Sequence, residues 1–196
     1  MAVDSLDDHL EKVLWTEVEI AKRVSELAAE ISSDLKALSL SSSPTSPPVF
    51  VGVATGAFLF LADLVRRIRL PVTVDFIRAE SYGSGTESSG APKISLDLKL
   101  DVRGKHVILV EDIVDTGSTL VSLISHLESK GTASVSVCAF LEKRARQKNN
   151  FEHARGRKFY RGFECPDVFV VGYGMDFAEC YRNLPYIGVL KPDCYK

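Results

Sequence analysis

A doubly wound α/β fold, a mainly parallel twisted sheet flanked by helices, is the architecture this sequence predicts, and three observations carry it. Val107 to Val110 is an apolar run without polar alternation, as expected of a strand covered on both faces of a parallel sheet, and Val49 to Val53 and Val135 to Leu141 read as further buried strands. Between them, apolar residues recur at helical spacing, so strands and helices alternate. The 196 residues, 45% hydrophobic and 26% charged, can bury a sizeable core and suit one domain over 1–196.

Taken in order, Thr16 and Glu19 read as a capping box, and Ile20, Val24, Leu27, Ile31, Leu35 and Leu38 follow as one buried helical face. Residues 41–48 are Ser- and Pro-rich and are expected to form an exposed connector. Val49 to Val53 is a buried strand with Ala54-Thr55-Gly56-Ala57 as its turn. Phe58, Leu61, Leu64, Val65 and Ile68 mark a helix, and Val72 to Ile77 is a second strand after Pro71. That β-α-β unit should cross over right-handedly. Residues 81–92 carry several glycines and little to bury, which predicts a flexible active-site loop. A strand near Ile94 to Leu98, the strand at Val107 and a helix from Ser118 to about Lys130 come next, with Gly131 as the terminator. Val135 to Leu141 and Val168 to Gly172 are further strands, and Ile187 to Leu190 is expected as a last edge strand.

The chemistry concentrates between Val107 and Thr119. Glu111, Asp112 and Asp115 directly follow a buried strand, where they repel one another and lose hydration unless cations or hydroxyls meet them. Thr116-Gly117-Ser118-Thr119 then offers successive backbone N–H groups, hydroxyls and a glycine at the start of a helix, a cradle for a phosphate monoester. Ligands in open α/β sheets sit beyond the carboxyl ends of the strands. The Ala54–Ala57 turn, the Glu111–Thr119 stretch, Lys143 and the Phe169–Asp176 segment should therefore converge on one cleft.

This stretch resembles the phosphoribosyl-pyrophosphate signature of the type I phosphoribosyltransferases: a hydrophobic strand, two acids, two apolar residues, an acid and a Thr-Gly-small-Thr loop, every position filled. The resemblance covers about Val49 to Leu190 and is closest to the hypoxanthine-guanine branch. Leu141-Glu142-Lys143-Arg144, the segment from Pro166 to Tyr173, and the run from Gly174 to Arg182 match that branch's acceptor side. It implies the type I fold with a small hood formed by terminal segments, and a homodimer or homotetramer. It also implies purine salvage: Mg²⁺-dependent transfer of 5-phosphoribosyl from its pyrophosphate donor to hypoxanthine and guanine.

The implied roles are specific. Glu111 and Asp112 meet the ribose hydroxyls, directly or through Mg²⁺, and with Asp176 are the metal ligands. Asp115 is the base that takes the purine N7 proton, and Asp115, Thr116, Gly117, Ser118 and Thr119 hold the 5′-phosphate. Lys143 donates to the exocyclic O6, Phe169 stacks on the base, Val170 reads the purine edge through its backbone, and Asp176 completes this purine-binding set. Thr55, Gly56 and Arg182 meet pyrophosphate, the turn doing so through backbone groups exposed at a non-proline cis peptide. Ser81 and Tyr82 begin the closing loop. Two positions depart from the family: Ala54-Thr55-Gly56-Ala57 stands where Leu-Lys-Gly-Gly is common, and Ser118 replaces a lysine of some members.

Plainer readings stand beside these. Asp115 can cap the helix after Thr116, Lys143 can belong to a solvated basic face with Arg144 and Arg146, and Phe169 can be core. Asp176 can be a turn residue or cap and Arg182 a surface arginine. His9, His106, His126 and His153 show no ligand spacing, and Tyr160, Tyr173 and Tyr181 read as core or interface. The net charge of −2 gives no reason to expect nucleic acid, and no run approaches membrane-spanning length. The acidic start, with Asp4, Asp7, Asp8 and Glu11, argues against a signal or transit peptide. Cys138, Cys165, Cys180 and Cys194 lack CxxC spacing, so free thiols in the cytoplasm are expected. Two rival functions share parts of the pattern: a receiver-type signalling domain, which needs no Thr-Gly-Ser-Thr loop, and a phosphoribosyltransferase-fold RNA-binding regulator, which needs a basic face.

Overall fold

A short 3₁₀ turn over Leu6–His9 leads into β1 (Leu10–Trp15) and a long helix α1 (Glu17–Ser41), followed by β2 (Val49–Val53) and α2 (Phe58–Val65). The chain continues through β3 (Thr73–Glu80), β4 (Lys93–Leu96), β5 (His106–Val114), α3 (Ser118–Ser129) and β6 (Ser134–Glu142). It ends with β7 (Phe159–Glu164), β8 (Val170–Val171), β9 (Ile187–Leu190) and a 3₁₀ turn at Pro192–Cys194. This is a computed structural model, and it describes residues 6–41, 46–80, 93–146 and 157–195. Ser81 and Tyr82, the expected loop over 81–92 and residues 42–45 of the connector lie outside the described residues.

Six strands form one sheet in the order β4-β3-β2-β5-β6-β7, parallel throughout except that β4 runs antiparallel to β3. Successive side chains of a strand serve opposite faces, and the core divides accordingly. Phe50, Ile108 and Val110 pack with Ile20, Val24, Leu27 and Ile31 of α1 and Phe60 and Leu64 of α2. Val49, Val51, Val107 and Leu109 pack with Leu120, Leu123, Ile124 and Leu127 of α3 on the other side. Each fully buried aliphatic of this kind contributes about 1.5–3 kcal/mol. Helices on both faces make the sheet doubly wound.

The helix signals act as the sequence implies. The Thr16 N–H donates to Glu19 Oε2 at 2.8 Å and the Glu19 N–H to Thr16 Oγ1 at 3.4 Å, closing the capping box. Gly131, at φ +80°, ends α3 with its N–H on the Glu128 carbonyl. Helix α2 is shorter than the apolar spacing suggested. The N–H groups of Arg67 and Ile68 reach back three residues rather than four, tightening the chain out of the helix, while Ile68 stays buried.

The ends of the chain correct the expected topology. β8, expected as Val168 to Gly172, does not join the main sheet, and β9 is no edge strand: the two form a second, antiparallel sheet in the order β1-β9-β8. β9 lies at its centre, which explains why Ile187, Gly188, Val189 and Leu190 are all buried. β1 and β7 gave no apolar run to read. β7 interleaves Arg161 with its aromatics and is half-buried, because that arginine is neutralised by Glu142 of the neighbouring strand. A cavity of about 420 Å³ opens at the amino ends of β5, β6 and β7. Its polar lining includes Asp34 paired with Lys158 and Tyr160, Glu128 with Arg157, and His106 with Ser134.

Candidate active site

The main sheet changes direction between β2 and β5. From β2 the chain winds outward to β3 and β4, and after β5 it winds the opposite way to β6 and β7, leaving a crevice beyond the carboxyl ends of the two central strands. The turn after β2 fills one side, and its Ala54–Thr55 peptide bond is cis. Gly56 lies so close to β5 that a Cβ there would sit 1.7 Å from Asp112 Oδ2. A Cβ at Gly174, where φ is +101°, would sit 2.1 Å from the Gly56 carbonyl oxygen. The turn therefore meets the Asp112 side chain on one side and, backbone to backbone, the segment after β8 on the other, at distances only glycine permits.

β5 runs through Glu111 and Asp112 to Val114, so the acids belong to the strand's last residues instead of following it. Burial pushes the Glu111 carboxyl well above its usual range, and the charge of Asp112 adds to the rise. Burial also raises Asp112, against the opposing pull of its hydrogen bond with Glu111, the Ile113 N–H at 2.8 Å and the Arg182 guanidinium. Two adjacent acids thus share a site short of positive charge.

The strand then opens into the loop at Asp115 to Gly117, with Gly117 at φ +81° directly before α3. Thr116 Oγ1 contacts the Ser118 hydroxyl at 3.2 Å and its amide at 3.4 Å. The first backbone hydrogen bond back into this turn is Val121 N–H to the Gly117 carbonyl, and Gly117 at the N-cap supplies no side chain to cap the helix. Amides at the positive end of a helix are the kind of donor an anion takes.

A chain of charges joins this loop to β6. Asp115 Oδ1 is 2.9 Å from Arg146 Nε, Arg146 Nη1 is 3.4 Å from Asp167 Oδ1, and Lys143 Nζ is 3.9 Å from the same oxygen. Lys143 is buried, unlike the solvated basic face its neighbours suggested, whereas Arg144 and Arg146 are exposed. Phe169 is not core: it is 38% exposed, stacked on Tyr195 at 4.8 Å and met edge-on by Phe177. β8 is the outer strand of its sheet, and Val170 pairs with Val189 while the Phe169 carbonyl accepts the Leu190 N–H. By the alternation of an antiparallel ladder, the Val170 N–H and C=O point to the open edge.

Asp176 follows in a segment where Tyr173, Ala178, Glu179 and Tyr181 all have positive φ, a conformation held only where the surroundings dictate it. Asp176 Oδ1 is 2.9 Å from Arg182 Nη2, and Asp176 Oδ2 accepts the Glu179 N–H at 2.9 Å. Arg182 also meets Glu179 and donates to the Gly174 carbonyl at 2.8 Å. Of the metal-ligand set expected from sequence, Glu111 and Asp112 stand together, whereas Asp176 is engaged by its own arginine. Sequence reasoning passed over Arg146, Asp167 and Arg78. The position of Arg78 at the carboxyl end of a predicted strand was the one available signal for it.

Residues 15–178 match the model of the phosphoribosyl transferase domain. The chain belongs to the phosphoribosyltransferase family. It is 42% identical to the hypoxanthine-guanine phosphoribosyltransferase of Bacillus subtilis over 187 residues, 95% of this chain and 97% of that one. It is equally identical to the enzyme of that name from Dictyostelium discoideum, over 94% of this chain and 98% of that one. A crystal structure of a hypoxanthine phosphoribosyltransferase from Staphylococcus aureus superposes with a TM-score of 0.86 at 38% identity, covering 100% of both chains.

In this phosphoribosyltransferase no group of three or more His, Cys, Asp or Glu side chains forms a metal cage among the described residues. An ion such as Mg²⁺ binds through one or two carboxylates and takes its remaining ligands from water and substrate phosphates. Glu111, buried, and Asp112, half-buried beside it, are the donor pair whose chemistry suits it.

Proposed function

We propose that this phosphoribosyltransferase is a purine salvage enzyme that joins the phosphoribosyl group of 5-phosphoribosyl 1-pyrophosphate to hypoxanthine and guanine, releasing pyrophosphate. The observation that carries the reading is the contact of Gly56 with both Asp112 and Gly174, which brings the donor side and the acceptor side of the cleft together. The 5′-phosphate lies on the amides and hydroxyls of Thr116 to Thr119, and the ribose hydroxyls donate to Glu111 and Asp112. Mg²⁺, held by those two carboxylates, supplies charge that offsets the pyrophosphate.

The base lies against Phe169, its O6 accepts from Lys143, and its far edge meets the Val170 backbone. Because Lys143 can only donate, it favours a carbonyl over the amino group of adenine. The purine N9 lone pair attacks the ribose carbon as the bond to pyrophosphate breaks with its electron pair. The N7 proton passes to Asp115, while Arg182 and the turn at Thr55 and Gly56 meet the departing charge. Asp176 fixes Arg182 through its carboxylate, which is a positioning role in place of the metal and base contact the resemblance implied.

Two coarser readings accompany this. A homo-oligomer is supported by Val74, Phe76 and Leu96, large apolar side chains exposed together on β3 and β4. A cytoplasmic location is supported by four free cysteines, of which burial raises Cys165 to about 11. Incubating the protein with the donor, Mg²⁺ and each purine separately tests the function. Nucleotide should form with hypoxanthine and guanine and not adenine, and chelation should abolish it. No product with any base would overturn the reading. Lys143→Ala should narrow the preference for 6-oxopurines over adenine by about tenfold or more; an unchanged ranking would remove Lys143 from the purine site.

A further inference from the structure

The cations of the cleft are mostly spoken for. Arg182 is held by Asp176 and Glu179, Arg146 by Asp115 and Asp167, and Arg144 by Glu142 and Glu164, while Lys143 is buried beside Asp167. Arg78 differs. It is exposed near the carboxyl end of β3, and its Nη2 donates to the neutral Thr55 hydroxyl at 3.1 Å; among the described residues no carboxylate pairs with it. The register of β2 and β3 sets Ile77 opposite Val53, and the Ala54 N–H bonds the Ile77 carbonyl at 2.8 Å. Arg78 therefore flanks the turn at residues 54–57 on one side, and Asp112 flanks it through Gly56 on the other.

We propose that Arg78 is a pyrophosphate-binding residue, tethered by Thr55 so that its guanidinium meets the condensed phosphates of the donor and of the leaving group. The assignment rests on the phosphoribosyl-donor reading above. A guanidinium presents paired donors that fit phosphate oxygens, and one with no competing carboxylate surrenders no ion pair to bind them. Thr55 is short enough to leave the guanidinium free for an anion and polar enough to orient it.

The test compares wild type with Arg78→Gln, Arg78→Lys and Thr55→Val. Arg78→Gln should raise the KM for phosphoribosyl pyrophosphate and the inhibition constant of pyrophosphate by about tenfold each, leaving the purine KM within about twofold. Arg78→Lys should retain much of the affinity, and Thr55→Val should lose about threefold because the tether alone is cut. Equal pyrophosphate constants for wild type and Arg78→Gln would overturn the role, as would a parallel rise in the purine KM. Calorimetric binding of pyrophosphate in Mg²⁺ buffer separates the two hypotheses. Wild type forming no nucleotide sinks the enzyme reading, whereas equal pyrophosphate affinities of wild type and Arg78→Gln sink Arg78 alone.

Discussion

Asp75 and Glu142 are buried as deeply as Glu111, at 7%, 1% and 8% exposure, yet the three live in opposite circumstances. Asp75 accepts the backbone N–H groups of Phe76, Lys99 and Leu100, each at 2.8 Å, and so pins the chain beyond β4 to the sheet. Glu142 lies against Arg161, with Arg144 at 3.6 Å. Glu111 has Asp112 as its neighbour, and among the described residues no cation is paired with it. A buried acid that serves the fold arrives with its donors. Glu111, placed for a ligand, has no such set of donors among the described residues, and the stability lost there is the cost of a site ready for hydroxyls and a metal.

The largest effect on the ligand side of the comparison belongs to Asp115, the acid assigned to proton transfer, which unlike Glu111 lies 2.9 Å from an arginine, Arg146. Asp115→Asn should lower kcat by about a hundredfold to ten-thousandfold, the range for loss of a general base. The KM for the donor should change far less. An equal loss in both would mean that Asp115 only positions the 5′-phosphate loop.

Second in size are the structural acids. Glu142→Gln leaves the Arg161 guanidinium facing a neutral amide and should cost about 3 kcal/mol, a fall in Tm of roughly 6–12 °C. Asp75→Ala strands three backbone donors and should cost about 2 kcal/mol. Unfolding in urea measures both, and a stability within about 0.5 kcal/mol of wild type for either would collapse the comparison.

Glu111→Gln should move the other way, by about 1 kcal/mol. The folded-state pKa of Glu111 lies above its ordinary value of 4.5, so its contribution favours folding below that pH and is lost as pH rises through the folded value. The variant carries no such loss. Its Tm, measured without metal, should exceed that of wild type by a margin that grows from pH 5 to pH 8, while nucleotide formation falls at least about a hundredfold. A lower Tm at every pH would make Glu111 a structural acid like the others.

The same contrast explains what the sequence made legible. The parallel core strands announce themselves because both faces are buried, and Glu111 to Thr119 because three acids and a glycine-hydroxyl turn crowd the end of one strand, although the sequence did not show that the first two lie within it. β7 was invisible because a half-buried edge strand interleaves a charge whose partner lies on another element, Arg161 meeting Glu142, and β1 because Glu11 and Lys12 interrupt its apolar residues. Arg78, Arg146 and Asp167 were passed over for a related reason. Their meaning lies in which charges already have partners, and that is settled only by packing. For the second sheet the resemblance implied a hood of terminal segments but not its strand order, which depends on which backbone edges the chain ends leave open, as β1 beside β9 illustrates.

Asp97 marks the weak end of the scale. It joins the chain after β4 to the last turn of α3, 3.0 Å from His126 Nε2 and 2.8 Å from Lys130 Nζ. Burial alone would raise its pKa, but the bonds from Lys130, His126 and the Leu98 N–H hold it down at about 2. A depressed acid stabilises the fold above its ordinary value of 3.8, and that contribution fades as pH falls through about 2. The side chain is 41% exposed, so solvent screens the pair and Asp97→Asn should cost under about 1 kcal/mol near neutral pH. Added salt should shrink the difference further. A cost as large as that of Asp75→Ala would show that charges alone, without buried donors, can pin this segment, and the distinction between satisfied and exposed acids would need another basis.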